Sequence, residues 1–253
     1  MPSRPVRIAA VGDVHAAPFD RAAAGAAVAA AADADCLLIA GDLTATGEPE
    51  EAAVLAEILA ESAVPVLYVL GNHDWHANRV PELREVLDGA GARMLERDHA
   101  ELQVDGRMVG IVGLKGFVGG FAGSSLPDFG EPLLRQVHAA ATTDVVALDS
   151  GLDAVAHCDV RVVLLHYAPT DATLAGEPVG IHAFLGNARM AAPIAEHRPD
   201  LVLHGHGHAG TFAGSIGEVP VFNVALPVIR RDFWIFELDG REPPSDRAVA
   251  GGA

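Results

Sequence analysis

The chain has 253 residues, half of them hydrophobic and a fifth charged, with a formal charge of −17 at pH 7. That composition excludes intrinsic disorder, and the length fits one large domain or two small ones and is enough to bury a substantial core. No internal repeat or interdomain linker is visible, which predicts one domain over 1–253. The acidic balance argues against an extensive grip on nucleic-acid phosphates, which needs many basic contacts.

In chain order, Val6–Val11 is an apolar run that stops at Gly12-Asp13, and the alanine-rich stretch Ala22–Ala32 favours a helix. Cys36–Ala40 is the next apolar run and stops at Gly41-Asp42. Glu50–Glu61 has helical periodicity in Val54, Leu55, Ile58 and Leu59. Val66–Leu70 stops at Gly71-Asn72-His73-Asp74, and Pro81–Gly89 reads as a helix with proline at its start and glycine at its end. This alternation indicates βαβ units. Leu102–Val104 and Met108–Val112 flank Asp105-Gly106, a hairpin signal. Lys115–Gly130, rich in Gly, Phe and Ser, reads as a loop over a site, and Glu131–His157 as one or two helices. Val162–Leu165 is a strand ending at His166. Asn187–His197 is a helix leading into the strand Leu201–Leu203, which ends at His204-Gly205-His206-Gly207-His208. Val219–Val224 and Phe233–Leu238 are the last strands, and the tail from Asp239 is polar and loose. The first half reads as largely parallel and the second as more antiparallel.

No apolar run approaches the roughly 20 residues of a membrane span. The opening MPSRPVRIAAVGDVH lacks a long apolar segment followed by a cleavage site, which predicts a cytoplasmic protein. Cys36 and Cys158 sit in strand-like or buried contexts and argue against a disulfide framework.

Five apparent strands stop at polar residues: Asp13 and His15, Asp42, Asn72-His73-Asp74, His166, and His206 with His208. In open α/β sheets, ligands collect outside the carboxyl ends of strands. Aspartate, histidine and asparagine without a thiolate suit Mn, Fe or Zn better than a structural zinc site. Two divalent ions held about 3.5–4 Å apart can share one carboxylate and one hydroxide, and they offset the charge of a phosphate.

The ordered series Asp13-x-His15, Gly41-Asp42, Gly71-Asn72-His73-Asp74, His166, Gly205-His206-x-His208 resembles the calcineurin-like metallophosphoesterase superfamily, its short single-domain bacterial phosphodiesterase-like members in particular. The resemblance implies a four-layer αββα sandwich with two mixed β-sheets and a dinuclear centre. It implies one metal on Asp13, His15, Asp42 and His208, and another on Asp42, Asn72, His166 and His206, with Asp42 shared. His73 would stand beside the phosphate, and Asp74 would orient His73.

A decoy lies within the last block. Gly205–Gly210 fits G-x-G-x-x-G after a strand, but Thr211–Gly217 is turn and strand material rather than the helix a dinucleotide site needs. Among the remaining residues, His76, Lys115 and Arg189 are candidates for substrate contact, as is Arg79. His204 reads as a hydrogen-bonded support. Phe117, Phe121 and Phe129 either stack on a base, cover the metals, or pin their loop to the body, the last being the favoured reading.

These readings predict hydrolysis of a small phosphodiester by in-line attack of a metal-bridging hydroxide. A phosphomonoesterase acting on a small metabolite or nucleotide is the alternative, and a non-catalytic scaffold on the same fold is a more distant one. A diester brings one negative charge and a monoester up to two, and the chain offers few fixed cations for the second. The Val219–Leu238 region could supply an edge strand for a homodimer, with the oligomeric state open.

Overall fold

The computed structural model describes residues 4–16 and 31–240. Most of the helix expected over Ala22–Ala32 and most of the tail after Asp239 lie outside the described residues.

Chain order is β1 (Val6–Val11), β2 (Cys36–Ala40), α1 (Pro49–Leu59), β3 (Val66–Val69), α2 (Val80–Gly89), β4 (Ala92–Met94), β5 (Asp98–Val104) and β6 (Arg107–Gly113). The short pair β7 (Gly120–Phe121) and β8 (Ser124–Ser125) follows, then α3 (Pro132–Ala154), β9 (Val160–Leu164), α4 (His182–Leu185) and α5 (Ala191–His197). β10 (Leu201–His204), β11 (Ala213–Ile216), β12 (Val219–Asn223), α6 (Leu226–Ile229) and β13 (Trp234–Leu238) complete it. Among the described residues no helix is long and apolar enough to cross a membrane.

The strands form two mixed sheets, ordered β13-β1-β2-β3-β4 and β11-β12-β10-β9-β6-β5, with β7-β8 apart. In the first, β1 to β4 pair in parallel and β13 adds an antiparallel edge. The second half is more antiparallel, as expected: among the described residues every antiparallel pair, β5–β6, β7–β8, β11–β12 and β1–β13, involves a strand after β4. The second sheet is nonetheless parallel at its heart. Its interior, β6-β9-β10-β12, is parallel, and only the outer partners β5 and β11 are antiparallel. The reason lies in the connections: α3 spans β6 to β9, and α5 spans β9 to β10. Both are crossovers of the kind that parallel neighbours require.

Alternation within the strands shows how the layers stack. Val162, Leu164, Leu201 and Leu203 belong to the core shared with the first sheet. Their neighbours Val163, Leu165 and Val202 belong to a second cluster with Leu148 and Leu152 of α3 and Ile194 of α5. A period-two strand thus feeds two interfaces, one against a sheet and one against helices. All five residues of β2 are buried, as a strand covered on both faces demands. In α1, Ala52, Leu55, Ala56 and Leu59 form a buried stripe at helical spacing, with Pro49 at its start. The β5–β6 hairpin turns on Asp105 and Gly106, both at positive φ, as a two-residue turn between twisted strands needs.

The consequence for function is positional. β1, β2 and β3 deliver Gly12, Gly41 and Gly71 at one end of the first sheet, and β9 and β10 deliver His166 and Gly205 at the same end of the second. Backbone bonds tie these tips together: Asp13 N donates to Gly41 O, His15 N to Asp42 O, and Gly205 N to His166 O.

Candidate metal centre

The tips carry unusual backbone. Asp13, His15, Asp42 and His206 all have positive φ, between 45° and 69°. Side chains other than glycine rarely adopt that region, and each instance costs on the order of 1–3 kcal/mol. Four such residues, all from the predicted ligand set, mark a place where position outranks local comfort.

The adjoining glycines exist for space. A Cβ on Gly41 would lie 2.5 Å from His166 Nδ1, one on Gly71 would collide with the Asp42 carboxylate, and one on Gly205 with the Asp13 carboxylate. Each tip therefore makes room for the ligand of another tip.

Three donor groups result. Asp13, His15 and His208 converge, as do Asp42, His166 and His206, while Asp42 also meets His15 and His73. Asp13, Asp42 and His166 are buried, whereas His208 is open to solvent. His166 Nδ1–H donates to Ala40 O at 2.9 Å, which leaves the lone pair on Nε2. That nitrogen faces Asn72 Oδ1 at 2.9 Å and Asp42 Oδ1 at 3.5 Å. Lone pairs aimed at one another are repulsive, and a cation between them turns repulsion into coordination. His15 Nε2 is buried without a hydrogen-bond partner. His206 Nε2–H donates to Phe184 O, freeing Nδ1.

The electrostatics agree. Burial, reinforced by Asp13 and Asp74, pushes the Asp42 carboxyl up to about 8. Burial drives the His166 imidazole down to about 3, and it lowers His15 and His206 too. Burial opposes ionisation of Asp13, but the bond and charge of His208 and the bond from the His206 backbone N–H act against it, and the carboxyl is held low. His208 goes the other way, raised by its bond to Asp13. The tips thus offer neutral imidazoles at His15, His166 and His206 and crowded, desolvated carboxylates, which is the donor chemistry of a divalent cation. The residues fit two such ions.

Asp74 does something other than orient His73. Its carboxylate accepts from Leu43 N, Thr44 N, Thr44 Oγ1 and Gly71 N at 2.6–3.2 Å, while His73 Nδ1–H is held by Ala45 O at 2.7 Å. Asp74 therefore ties the tip bearing Asp42 to the tip bearing Asn72. Truncating Asp74 to alanine leaves buried donors unpaired, each worth about 1–3 kcal/mol. We expect the melting temperature to fall by several degrees, at about 2–4 °C per kcal/mol, with weakened metal binding. Calorimetric melts with and without added Mn check this.

The other candidates divide. His76 has its ring 4.4 Å from that of His73 and belongs beside the centre. Lys115 lines a cavity of about 400 Å³ that Asn72 also borders. Arg189 does not: its guanidinium is bonded to His138 and Thr142 of α3, because the helix start that carries it faces that helix. Arg79 is paired with Glu48 and Glu82 at the surface. His204 is fully buried, with Nε2 at 2.8 Å from Thr173 Oγ1. Of the loop phenylalanines, Phe121 packs with Ala168, Leu174 and Leu185, Phe117 lines the cavity, and Phe129 is exposed. The decoy is followed by β11, not a helix.

Residues that local patterns did not reveal are Trp75, Glu96, Asp144 and Tyr167. They gather around the cavity from four separate segments. Trp75, two positions after His73, was the one with a signal: a large aromatic in a turn, outside any apolar run.

A family model described as calcineurin-like phosphoesterase matches residues 6–210. The chain belongs to the calcineurin-like phosphoesterase family. Among solved structures, a phosphopantetheinyl hydrolase from Mycobacterium tuberculosis is similar at TM-score 0.65 and 16% identity, over 100% of both chains. The protein TT1561 of Thermus thermophilus is similar at TM-score 0.61 and 19% identity, over 92% of this chain and 99% of that one. GAP50, the anchor in the inner membrane complex of Plasmodium, is similar at TM-score 0.57 and 12% identity, over 89% of this chain and 73% of that one. These likenesses concern the fold. A search of curated proteins found no match. Calcineurin-like phosphoesterases hydrolyse phosphate esters with divalent metal ions, and the tips of this family member carry the matching donors.

Proposed function

We propose that this calcineurin-like phosphoesterase is a phosphodiesterase acting on small phosphodiesters through two divalent ions. The observation that carries this reading is the buried Asp42 carboxylate with a donor group on either side of it. Asp13, His15, Asp42 and His208 would hold one ion, and Asp42, Asn72, His166 and His206 the other. Ions bound there supply Lewis acidity and neutralise charge as water attacks phosphorus.

The protein's own groups do the rest. His73 has Nδ1 fixed on Ala45 O and Nε2 turned inward, 4.0 Å from Asp42 Oδ2. With Nδ1–H held by Ala45 O, Nε2 carries a proton only when the ring is the imidazolium. In that form it can donate to a phosphoryl oxygen or deliver the Nε2 proton to the leaving oxygen, which returns the ring to its neutral form. Preference for a diester rests on charge. The cavity next to Asn72 contains Lys115 and Arg97, but Glu96 and Asp144 stand with them, and Arg97 is locked to Asp144 at 2.6 Å. This balanced quartet offers no surplus cation for the second charge of a monoester.

The test is a panel of diesters and monoesters, assayed after metal stripping and refilling with Mn, Zn or Fe. We expect no turnover in stripped protein. After refilling, bis(p-nitrophenyl) phosphate should be cut with a higher kcat/KM than p-nitrophenyl phosphate. The reverse ranking would identify a phosphomonoesterase.

A further inference from the structure

The cavity beside Asn72 is walled by three aromatic rings, more than the metal centre itself requires. Its volume, about 400 Å³, falls in the range of small-molecule sites. Trp75 lies on the same short turn as His73 and is 44% exposed, far more than a core tryptophan. Tyr167 is buried, with its ring 4.5 Å from that of His206 and 6.2 Å from that of Phe117. An aromatic lining thus runs without a break from a metal donor into the cavity. Against it stand a carboxylate and an ammonium. Glu96 accepts a bond from Lys115 N, and Lys115 Nζ donates to Gly116 O while sitting 4.6 Å and 5.0 Å from the centres of Phe117 and Tyr167.

Which substituent suits this lining? Glycerol has no ring face to stack, and a sugar offers only a puckered C–H face, smaller and less flat than an aromatic ring. A quaternary ammonium is the other group that aromatic rings hold, but the Lys115 ammonium beside Phe117 and Tyr167 would repel it. A flat ring with donors and acceptors on its edge uses both features.

We propose, building on the phosphodiesterase reading above, that the cavity receives a nucleobase of the phosphoester substrate, stacked on Trp75 and Phe117 and read at its edge by Glu96 and Lys115. The substrate is then a nucleotide diester with phosphorus at the metal donors and the base beyond Asn72.

The experiment is calorimetric binding of 5′-AMP, ribose 5-phosphate and choline phosphate to the Mn-replete protein. One stacked base should make AMP bind at least about 10-fold more tightly than ribose 5-phosphate. Trp75→Ala, at an exposed position that the fold does not depend on, should bring that ratio to about one, and Phe117→Ala should reduce it. Lys115 is the sole lysine of the chain, so its acylation reads out by peptide mass. AMP should slow that acylation, and ribose 5-phosphate should not. Equal affinity for AMP and ribose 5-phosphate, or tighter binding of choline phosphate, overturns the nucleobase assignment, and continued diester hydrolysis would leave the phosphodiesterase reading standing. If the metal-replete protein binds none of the three and cuts no diester, the underlying reading fails as well.

Discussion

Asp42→Asn is expected to abolish diester hydrolysis while making the metal-free protein more stable. Groups that merely support metal ligands cost about 10–100-fold when removed, so losing a ligand common to both ions should cost on the order of a thousandfold or more. Bound metal should drop from two ions per chain to one or none. The stability effect has the opposite sign. In the metal-free chain the Asp42 carboxylate is buried beside those of Asp13 and Asp74. An asparagine keeps the oxygen that accepts the His73 N–H at 2.8 Å, yet brings no charge. Its melting temperature without metal should therefore exceed that of the parent, and added Mn should no longer raise it as far. A residue conserving only the fold would show no such exchange of function for stability.

His73→Ala should behave differently. Proton delivery or charge stabilisation by one side chain contributes about 10²–10⁴-fold, and turnover of a diester should fall within that range. Metal content should stay near two per chain, because Asp42 retains its contacts with His15, His166 and His206. Loss of turnover with full metal content separates a residue that serves the substrate from one that serves the ions. If kcat is unchanged in His73→Ala, the role proposed for that ring is wrong.

The sequence made the metal centre legible because each donor follows directly on an apolar run and a glycine. Gly41-Asp42 and Gly71-Asn72 are local signals, and a parallel sheet brings such strand ends together without further instruction. The same logic located β1, β2, β3, β9 and β10. What escaped was made by long-range convergence. Asp74 gave no hint that its partners would be Leu43 and Thr44, some thirty positions away. Arg189 looked available because nothing nearby in sequence opposes it, but the α3 residues that bind it are remote. Glu96, Lys115, Asp144 and Tyr167 line one cavity from four separate segments, and no spacing rule joins them. β4 is three residues long, and β11 contains a glycine and a serine in four residues, so neither carries an apolar alternation strong enough to read.

Two cations sharing the Asp42 carboxylate are what every step of the proposed chemistry requires. Crystals grown with Mn and measured at its absorption edge test that directly. We predict two anomalous peaks about 3.5–4 Å apart, with Asp42 bridging them, Asp13, His15 and His208 on one side, and Asn72, His166 and His206 on the other. A single peak, or a pair that Asp42 does not bridge, would contradict it.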